Sequence, residues 1–239
     1  MSVRAVLFDA GDTLFRVRGS VGEVYATVAT RHGVTVAVAD IEQRFRAAFR
    51  RMPPLAFPDA PDAELPQREY AWWKQIVASV FTGVGFNDFE AFFADLFEYF
   101  ARADSWELFV DAEPTLAALR VGGLRLAIVS NFDGRLTRIC EGLGITRYFD
   151  TIVMSGRTGA AKPDPRIFKT ALTHLGVSPD DAVHVGDSEM EDIFGAAAAG
   201  LRAIRIDRGA RLQDSPDCVS DLRDLVRDCA IEGGRSITR

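Results

Sequence analysis

The stretch Val3-Arg4-Ala5-Val6-Leu7-Phe8-Asp9-Ala10-Gly11-Asp12-Thr13-Leu14 determines how the rest of the sequence is interpreted. Its first six residues are apolar at nearly every position. A short run of this kind predicts a strand that is covered on both faces, as in a parallel sheet. The run leads into a turn that carries the first two aspartates. We therefore expect a buried strand that delivers carboxylates to its carboxyl end.

Similar apolar runs recur along the sequence, and each is followed by turn residues. The predicted strands are residues 3–8, 124–129, 151–154, 182–185 and 203–206. Helical periodicity predicts crossover helices at residues 113–120, 136–143 and 166–175, and a short last helix around residues 219–229. Alternation of strands and helices predicts an α/β fold with a doubly wound, Rossmann-like parallel sheet.

The alternation stops once, in a long segment whose pattern is helical. It predicts an α/β core of residues 1–15 and 106–239, and a helical cap domain of residues 16–105 inserted after the first strand. Apolar residues recur there at helical spacing: Ile41, Phe45, Ala48, Phe49, Phe89, Phe92, Phe93, Leu96, Phe97 and Phe100. They could form a binding face, as could Trp72-Trp73 and Arg50-Arg51. The favoured interpretation is the core of a small helical bundle.

The composition excludes several classes of protein. The 239 residues are 48% hydrophobic and 26% charged, which is typical of a globular protein. Lys and Arg number 28 against 34 Asp and Glu, so the net charge is −6. Nucleic-acid and membrane binding are not expected, because both require a basic face. No run approaches the roughly 18 apolar residues of a membrane span.

The cysteines bear on location. The three are Cys140, Cys218 and Cys229, and they form no CxxC pair. This pattern indicates reduced thiols and a cytoplasmic protein. Nothing in the sequence indicates an oligomeric state.

Polar residues follow the predicted strands where the chemistry of an α/β sheet is normally found. They are Asp9, Asp12, Ser130, Asn131, Lys162, Asp187 and Asp192. Because ligands bind at the carboxyl ends of parallel strands, we expect these side chains to converge on one edge. Singly, each is also explained as a helix cap or a solvated loop residue.

Together the residues suit phosphoryl transfer, in which an anion must be held and neutralised. Mg²⁺ fits a site rich in oxygen ligands. Lys162 would place a point charge on the phosphoryl oxygens, and Ser130 would donate a hydrogen bond to them. One carboxylate would then remain to attack as the nucleophile.

The order of these motifs resembles that of the haloacid dehalogenase-like hydrolase superfamily. The motifs are Phe8-Asp9-x-x-Asp12-Thr13-Leu14, Ile128-Val129-Ser130-Asn131, Lys162-Pro163-Asp164-Pro165 and Gly186-Asp187-Ser188-x-x-x-Asp192. The helical insertion looks like the C1 cap of that family. Within the family, three stretches resemble the subgroup of haloacid dehalogenase-like hydrolase domain-containing protein 3: Gly22-Glu23-Val24-Tyr25-Ala26-Thr27, Trp72-Trp73 and Ser130-Asn131-Phe132-Asp133.

The resemblance implies a role for each residue. Asp9 would be the nucleophile and a Mg²⁺ ligand, together with the Gly11 carbonyl and Asp187. Asp192 would complete the metal site or position Lys162. The substrate phosphoryl group would be bound by Ser130, Asn131 and Lys162.

One departure from the family pattern matters. Phosphatases of the family usually carry a second Asp two residues after the nucleophile, as general acid and base, but this position is Gly11. Three alternatives follow: Asp12 takes over this role, solvent or substrate supplies the proton and turnover is slow, or the protein binds phosphoanions without turnover.

The dehalogenase branch of the family also lacks that Asp, so a 2-haloacid dehalogenase is a competing hypothesis. The negative charge around Asp187 and Asp192 favours a metal site, and hence a phosphatase. We therefore expect a Mg²⁺-dependent hydrolase of a small phosphorylated metabolite, with the insertion closing over the strand edge. The sequence leaves sugar phosphates, nucleoside monophosphates and phosphoglycolate-like acids open as substrates.

Overall fold

A computed structural model describes residues 3–209 and 217–226 of the chain. The strands in these ranges are β1 (Ala5–Phe8), β2 (Phe15–Val17), β3 (Trp106–Leu108), β4 (Arg125–Ser130), β5 (Thr151–Met154), β6 (Ala182–Gly186), β7 (Arg202–Ile206) and β8 (Cys218–Val219). The helices are α1 (Val21–Arg31), α2 (Val38–Arg51), α3 (Leu65–Val80), α4 (Phe89–Tyr99), α5 (Ala112–Val121), α6 (Arg135–Gly142), α7 (Ser155–Thr158), α8 (Pro165–Leu175) and α9 (Gly195–Ala198). A π-helical turn, Glu189–Phe194, leads into α9.

The strands β5-β4-β1-β6-β7-β8 form a parallel sheet in this order. β1 lies between β4 and β6, and its last residue, Phe8, is opposite Ile128 and Val185. The chain therefore completes one half of the sheet before it crosses to the other. The carboxyl ends of β1, β4 and β6 lie side by side at this change of direction.

Both faces of the sheet are covered, which is why its strands are apolar at consecutive positions. Val6 and Phe8 belong to a hydrophobic cluster that includes residues of α5 and α6. Ala5 and Leu7 belong to a second cluster with residues of α8 and α9. The predicted doubly wound α/β fold is confirmed.

Helix α8 illustrates how the sequence sets element ends near the strand edge. Asp164 caps its first turn by accepting a hydrogen bond from the Arg166 N–H, and Pro165 occupies the first helical position. Gly176 ends it with φ of +61°, a left-handed conformation that favours glycine. These signals fix where the preceding loop, which contains Lys162, joins the helix.

Residues 16–105, all of them described, contain helices α1–α4, and we refer to them as the helical insertion. Their buried side chains form a cluster of their own, which includes Phe92, Phe93 and Leu96. The chain enters and leaves the insertion through a two-stranded antiparallel ribbon, in which β2 pairs with β3 and Val17 is opposite Trp106. The predicted boundaries at residues 15 and 106 fall in this ribbon.

The end of the sequence differs from expectation. Cys218 and Val219 form strand β8 beside β7, where the sequence predicted the start of a helix, and residues 224–226 are helical. The remainder of the predicted helix, with Cys229, lies outside the described residues. No helix in the described ranges is both long and apolar enough to cross a bilayer.

Candidate active site

Three neighbouring strand ends carry predicted site residues. Asp9 follows β1, Ser130 is the last residue of β4, and Asp187 follows β6. All three line one cavity, to which Gly11, Asp12, Asn131 and Lys162 also contribute. The structure therefore brings these residues together at one edge of the sheet. Asp192 lies in the π-helical turn beyond β6 and reaches the site through Lys162.

Lys162 lies between two carboxylates. Its Nζ donates to Asp9 Oδ1 and to Asp192 Oδ1, each at 2.6 Å. The lysine side chain is only 1% exposed. Two carboxylates on one buried ammonium satisfy the condition under which a charge can be buried, since each charge keeps an opposite partner.

The amide of Asn131 fixes the backbone that carries this lysine. Asn131 Nδ2 donates to the Lys162 carbonyl oxygen at 3.0 Å, and Asn131 Oδ1 accepts from the Lys162 N–H at 2.7 Å. The predicted role of Asn131 in substrate binding stays a prediction, because its side chain is already used to position the Lys162 loop.

Ser130 is buried at the end of β4. Its hydroxyl forms no hydrogen bond with any residue in the described ranges. A hydroxyl that lines a cavity and has no protein partner is available to donate to a ligand. This geometry suits the predicted phosphoryl contact.

Both oxygens of Asp192 accept hydrogen bonds. Oδ1 lies 2.6 Å from Lys162 Nζ and 2.9 Å from His184 Nε2, and Oδ2 accepts from the Ser188 N–H at 3.0 Å. Gly186 permits this arrangement, because a Cβ there would lie 2.2 Å from Asp192 Cγ. Asp192 is therefore held in place before any ligand arrives.

His184 contributes to the site in a way that the sequence did not indicate. His184 lies in the apolar strand β6, and its side chain is fully buried, with its ring edge-on to Phe168. It also contacts Asp192, eight residues further along the chain. The contact could not be found from the sequence, since it depends on how the π-helical turn folds back over β6.

Negative charge accumulates at the strand ends. One carboxylate oxygen from each of Asp9, Asp187 and Asp192 lies within 4.8 Å of the others. Burial raises the pKa of Asp9, and Lys162 opposes this shift. Burial, together with the charges of Asp9, Asp192 and Asp12, raises the pKa of Asp187 to about 7. At Asp187 the like charges of the neighbouring carboxylates therefore add to the effect of burial.

The ion pair between Lys162 and Asp192 remains ionised despite its burial. Burial alone would raise the pKa of Asp192, but Lys162 and the contact with His184 lower it below its ordinary value. Burial would likewise lower the pKa of Lys162, but Asp9 and Asp192 raise it.

The donor set fits a hard divalent cation. When all three carboxylates are ionised they exceed the one ammonium by two negative charges, and the close oxygens are the ligand type that Mg²⁺ prefers. Since both oxygens of Asp192 already accept hydrogen bonds, Asp9 and Asp187 have the greater capacity for a cation.

The turn after β1 places Asp12 at the rim of the cavity. Asp12 has φ of +54°, and its N–H donates to the Phe15 carbonyl oxygen at 2.8 Å. Although Asp12 is exposed overall, neighbouring protein removes some water from its carboxylate, which raises its pKa, while Arg16 and Arg208 oppose the shift. A Cβ on Gly11 would meet no heavy atom within 4 Å, so space does not require glycine there.

The cavity has a volume of about 620 Å³ and two chemically different walls. We call the group Asp9, Asp12, Ser130, Asn131, Lys162, Asp187, Ser188 and Glu191 the charged wall. We call the group Val17, Val21, Tyr25, Phe45, Phe49, Met52, Pro53, Pro54, Leu55, Trp72, Trp73, Phe100, Trp106 and Phe132 the apolar wall. The helical insertion supplies most of the apolar wall.

The aromatic stripe of the insertion is thus only partly a bundle core. Phe92 and Phe93 are buried in the insertion, as expected. Phe45, Phe49 and Phe100 line the cavity, and Phe45 and Phe100 also pack against the insertion cluster. For these three, the interpretation as simple packing residues was incomplete.

A contact between the insertion and the core lies beside the cavity. Trp73 Nε1 donates to Asp133 Oδ2 at 2.6 Å, and Arg135 Nη2 donates to the same oxygen at 2.6 Å. Asp133 is fully buried, and the Arg135 guanidinium lies 3.9 Å from the centroid of the Phe97 ring. Glu69 Oε2 accepts from the Gly134 N–H at 3.1 Å. We call these residues the insertion–core joint.

The sequence did not predict the insertion–core joint, although two of its residues lie in stretches that the sequence analysis named. Asp133 stands in a stretch that resembles the subgroup, and Trp73 stands in another such stretch and in a possible binding face, but neither was predicted to join the insertion to the core. Glu191, which lines the charged wall, was also missed. It lies in a turn with several other acidic residues, and nothing in the sequence distinguishes a glutamate that lines a cavity from one that faces solvent.

Comparisons with known proteins agree with this geometry. A family model for haloacid dehalogenase-like hydrolases matches residues 3–200. The mouse (Mus musculus) haloacid dehalogenase-like hydrolase domain-containing protein 3 is 40% identical over 210 residues, 86% of this chain and 82% of that protein. The chain therefore belongs to the haloacid dehalogenase-like hydrolase family. The resemblance to this subgroup is confirmed.

Relatives within the family have different activities. Phosphoserine phosphatase from Thermus thermophilus is 41% identical over 132 residues, which is 53% of each chain. The structure of L-2-haloacid dehalogenase from Xanthobacter autotrophicus superposes with a TM-score of 0.70 at 24% identity, over 94% of this chain and 97% of that one. The likeness to the dehalogenase structure shows a shared fold only. The phosphatase hypothesis and the dehalogenase hypothesis thus each have a counterpart among similar proteins.

Proposed function

We propose that the protein is a Mg²⁺-dependent phosphatase that hydrolyses a small phosphomonoester through an aspartyl-phosphate at Asp9. The observation that carries the proposal is the cluster of Asp9, Asp187 and Asp192, with carboxylate oxygens within 4.8 Å of one another. This cluster holds more negative charge than Lys162 compensates, and an anionic substrate would add to it. A divalent cation removes the imbalance, whereas a metal-free mechanism does not.

The cation would be held by Asp9, Asp187 and the Gly11 carbonyl, and Asp192 would add charge while holding Lys162. When bound, Mg²⁺ supplies neutralisation of phosphoryl charge. The nearby Lys162 Nζ, 2.6 Å from Asp9 Oδ1, would bind a phosphoryl oxygen, and the free Ser130 hydroxyl would donate to another.

The reaction has two balanced steps. An Asp9 carboxylate oxygen attacks phosphorus, the bond from phosphorus to the ester oxygen breaks, and the leaving alcohol takes up a proton. Water then attacks the aspartyl-phosphate, loses a proton, and releases orthophosphate and free Asp9. Lys162 keeps Asp9 oriented during the attack, because it is itself fixed by Asp192 and Asn131.

The proton donor is the open part of the mechanism. Asp12 lines the cavity and is one residue beyond the usual position of the acid. The alternatives are catalysis by Asp12 and proton supply by solvent or substrate. Asp12→Asn separates them: full activity in this variant excludes Asp12 as the acid.

The first experiment measures orthophosphate released from p-nitrophenyl phosphate, and then from a panel of phosphomonoesters. Turnover is expected to require Mg²⁺, to stop in excess chelator and to be lost in Asp9→Asn. Turnover that survives in Asp9→Asn would overturn the proposal. Ligands that raise the melting temperature (Tm) while no ester turns over would indicate a phosphoanion-binding protein.

A 2-haloacid dehalogenase is the second candidate, favoured by Gly11 and by the apolar wall, which suits an alkyl group. In that reaction an Asp9 oxygen displaces halide from carbon, and water then hydrolyses the ester. Chloride release from 2-chloropropionate that persists in excess chelator would establish this candidate.

The proposal includes a small phosphorylated metabolite as substrate and a cytoplasmic location. Cys140 is buried and Cys218 is half-buried, and both are free thiols, in agreement with reducing surroundings.

A further inference from the structure

The apolar wall covers the space that the alcohol part of a phosphomonoester would occupy. The phosphoryl group belongs at the charged wall, beside Lys162 and Ser130. The rest of the substrate must then extend towards the helical insertion, where aromatic rings predominate. The chemistry of this wall therefore bears on what the enzyme accepts.

The polar atoms of the apolar wall are largely used within the protein. Trp72 Nε1 donates to the Pro53 carbonyl oxygen at 3.0 Å, and Trp73 Nε1 donates to Asp133 Oδ2 at 2.6 Å. Neither indole can donate to a ligand without breaking a bond. A polyol placed here would bury hydroxyl groups without partners, which is costly.

Arg135 also lines the cavity but is occupied. Its guanidinium donates to both oxygens of Asp133 and to the Phe97 carbonyl oxygen, and its side chain is 11% exposed. It is therefore a structural cation of the insertion–core joint. It does not offer a free fork for the carboxylate of a small acid.

Two polar groups near the apolar wall have no hydrogen-bond partner among the residues that the structure describes. They are the Tyr25 hydroxyl and the Arg50 guanidinium. Burial raises the pKa of Tyr25, with Arg135 opposing, so the phenol stays protonated and able to donate. The wall can thus satisfy one or two polar substituents, but not the hydroxyls of a sugar.

One ring of the apolar wall keeps an exposed surface that a further ring could contact. Phe49 lines the cavity and remains 43% exposed, although it is a large hydrophobic side chain. Its ring is perpendicular to Trp72, at an interplanar angle of 88°, and Trp72 and Trp73 meet at 81°. Edge-to-face contacts of this kind are the geometry in which aromatic rings attract each other.

We infer that the substrate is a phosphomonoester whose alcohol part is aromatic and largely apolar, carrying at most one or two polar substituents. This inference rests on the proposed function. It favours aryl and arylalkyl phosphates over sugar phosphates. Binding would cover the exposed Phe49 ring and remove water from the aromatic surface.

The activity test compares 2-phenylethyl phosphate with glycerol 1-phosphate. Both are esters of primary alcohols, so their intrinsic reactivity is similar and the difference reports on the alcohol part. We expect kcat/KM for 2-phenylethyl phosphate to be greater by about tenfold or more. Equal values, or a preference for glycerol 1-phosphate, would overturn the inference while leaving the phosphatase proposal intact.

Phe49→Ala tests whether this preference comes from the apolar wall. It should lower kcat/KM for 2-phenylethyl phosphate by a larger factor than kcat/KM for glycerol 1-phosphate, so the ratio between them falls. Phe89→Ala is the matched control, because Phe89 packs on the insertion cluster without lining the cavity. An equal fall of the ratio in both variants would contradict the assignment to Phe49.

A binding test remains informative if no ester turns over. Wild-type protein with Mg²⁺ is titrated calorimetrically with 3-phenylpropylphosphonate and with 3,4-dihydroxybutylphosphonate, in which carbon replaces the ester oxygen. Tighter binding of the phenyl compound without turnover of any ester refutes the phosphatase proposal but supports the aromatic site. Equal binding, tighter binding of the diol, or no binding of either compound refutes the inference.

Discussion

At the charged wall of the cavity, ion pairs and hydrogen bonds fix Asp9, Lys162 and Asp192. Lys162 Nζ lies 2.6 Å from Asp9 Oδ1 and from Asp192 Oδ1, and the Asn131 amide is hydrogen-bonded to both the N–H and the carbonyl oxygen of Lys162. On the apolar wall, order comes from ring packing, and Phe49 is left with an exposed surface. If the protein acts as we propose, the first wall would bind one anionic group, and the second would select substrates by shape and polarity. Reaction and selection would then depend on different elements of this protein.

Completing the charged wall is the change with the largest expected effect. Gly11→Asp restores the acid that related phosphatases carry, and the open space at this position accepts a Cβ. Because general acid–base catalysis contributes typically about 10²–10⁴-fold, we expect kcat for 2-phenylethyl phosphate to rise by about 10²-fold. Gly11→Asn, which has the shape but no acid, is the control. Equal rates of the two variants would show that proton supply does not limit turnover.

The insertion–core joint holds the two walls together, and Asp133→Ala should weaken it. Removing a partner from a buried ion pair costs about 3–5 kcal/mol, since Arg135 is left unpaired. In a chain of this size that corresponds to a Tm lower by about 6–20 °C. Asp104→Ala, which breaks an exposed pair with Arg102, is the control and should change Tm far less. A similar loss in both would contradict the importance of the joint.

Asp187→Asn tests whether the charged wall is strained by its own charge. In chelator, the variant should melt at a higher temperature than the wild type, since one of three mutually repelling carboxylates is gone. Added Mg²⁺ should stabilise the wild type, by about 2.7 kcal/mol at 100 times its dissociation constant, and stabilise the variant little. Asp180→Asn, at an exposed position, should retain the wild-type response in a Mg²⁺ titration followed by differential scanning fluorimetry. Unchanged stabilisation of Asp187→Asn would remove Asp187 from the cation site.

The smallest expected effect concerns Glu69 in the joint. Burial raises its pKa; the Gly134 N–H, Arg157 and Arg135 lower it, and Asp133 raises it. A raised pKa in the folded state means that the stability contributed by protonated Glu69 is lost as pH rises. Glu69→Gln should therefore have a Tm close to the wild type at pH 4 and a higher Tm at pH 8. A difference independent of pH would contradict this explanation.

Three residues of the charged wall could be predicted because each lies at the end of a continuous apolar run. Asp9, Ser130 and Asp187 stand directly at strand ends, and a parallel sheet places such ends together. The contact of His184 with Asp192 could not be predicted, since it joins a strand to a turn that folds back on it. Strand β8 was missed because two residues carry no periodicity, and only its pairing with β7 creates it.

The apolar wall shows the limit of periodicity as a signal. Phe45 and Phe49 belong to the same kind of helical apolar pattern as the buried Phe92 and Phe93. In the sequence, residues that pack in a bundle and residues that line a cavity are of the same types and recur with the same period. Which of them is left exposed depends on the neighbouring helices, and therefore on tertiary structure.

The short ribbon of β2 and β3 has a consequence for how this molecule can change. Val17 is opposite Trp106, and the Arg18 N–H donates to the Ser105 carbonyl oxygen at 2.9 Å, so the insertion begins and ends at neighbouring backbone positions. All of its helices thus belong to one contiguous segment, which is joined to the core through this antiparallel ribbon. Replacement of this segment by another one, or by a tight turn, would change which substrates reach the strand ends. The strand order of the parallel sheet would stay the same.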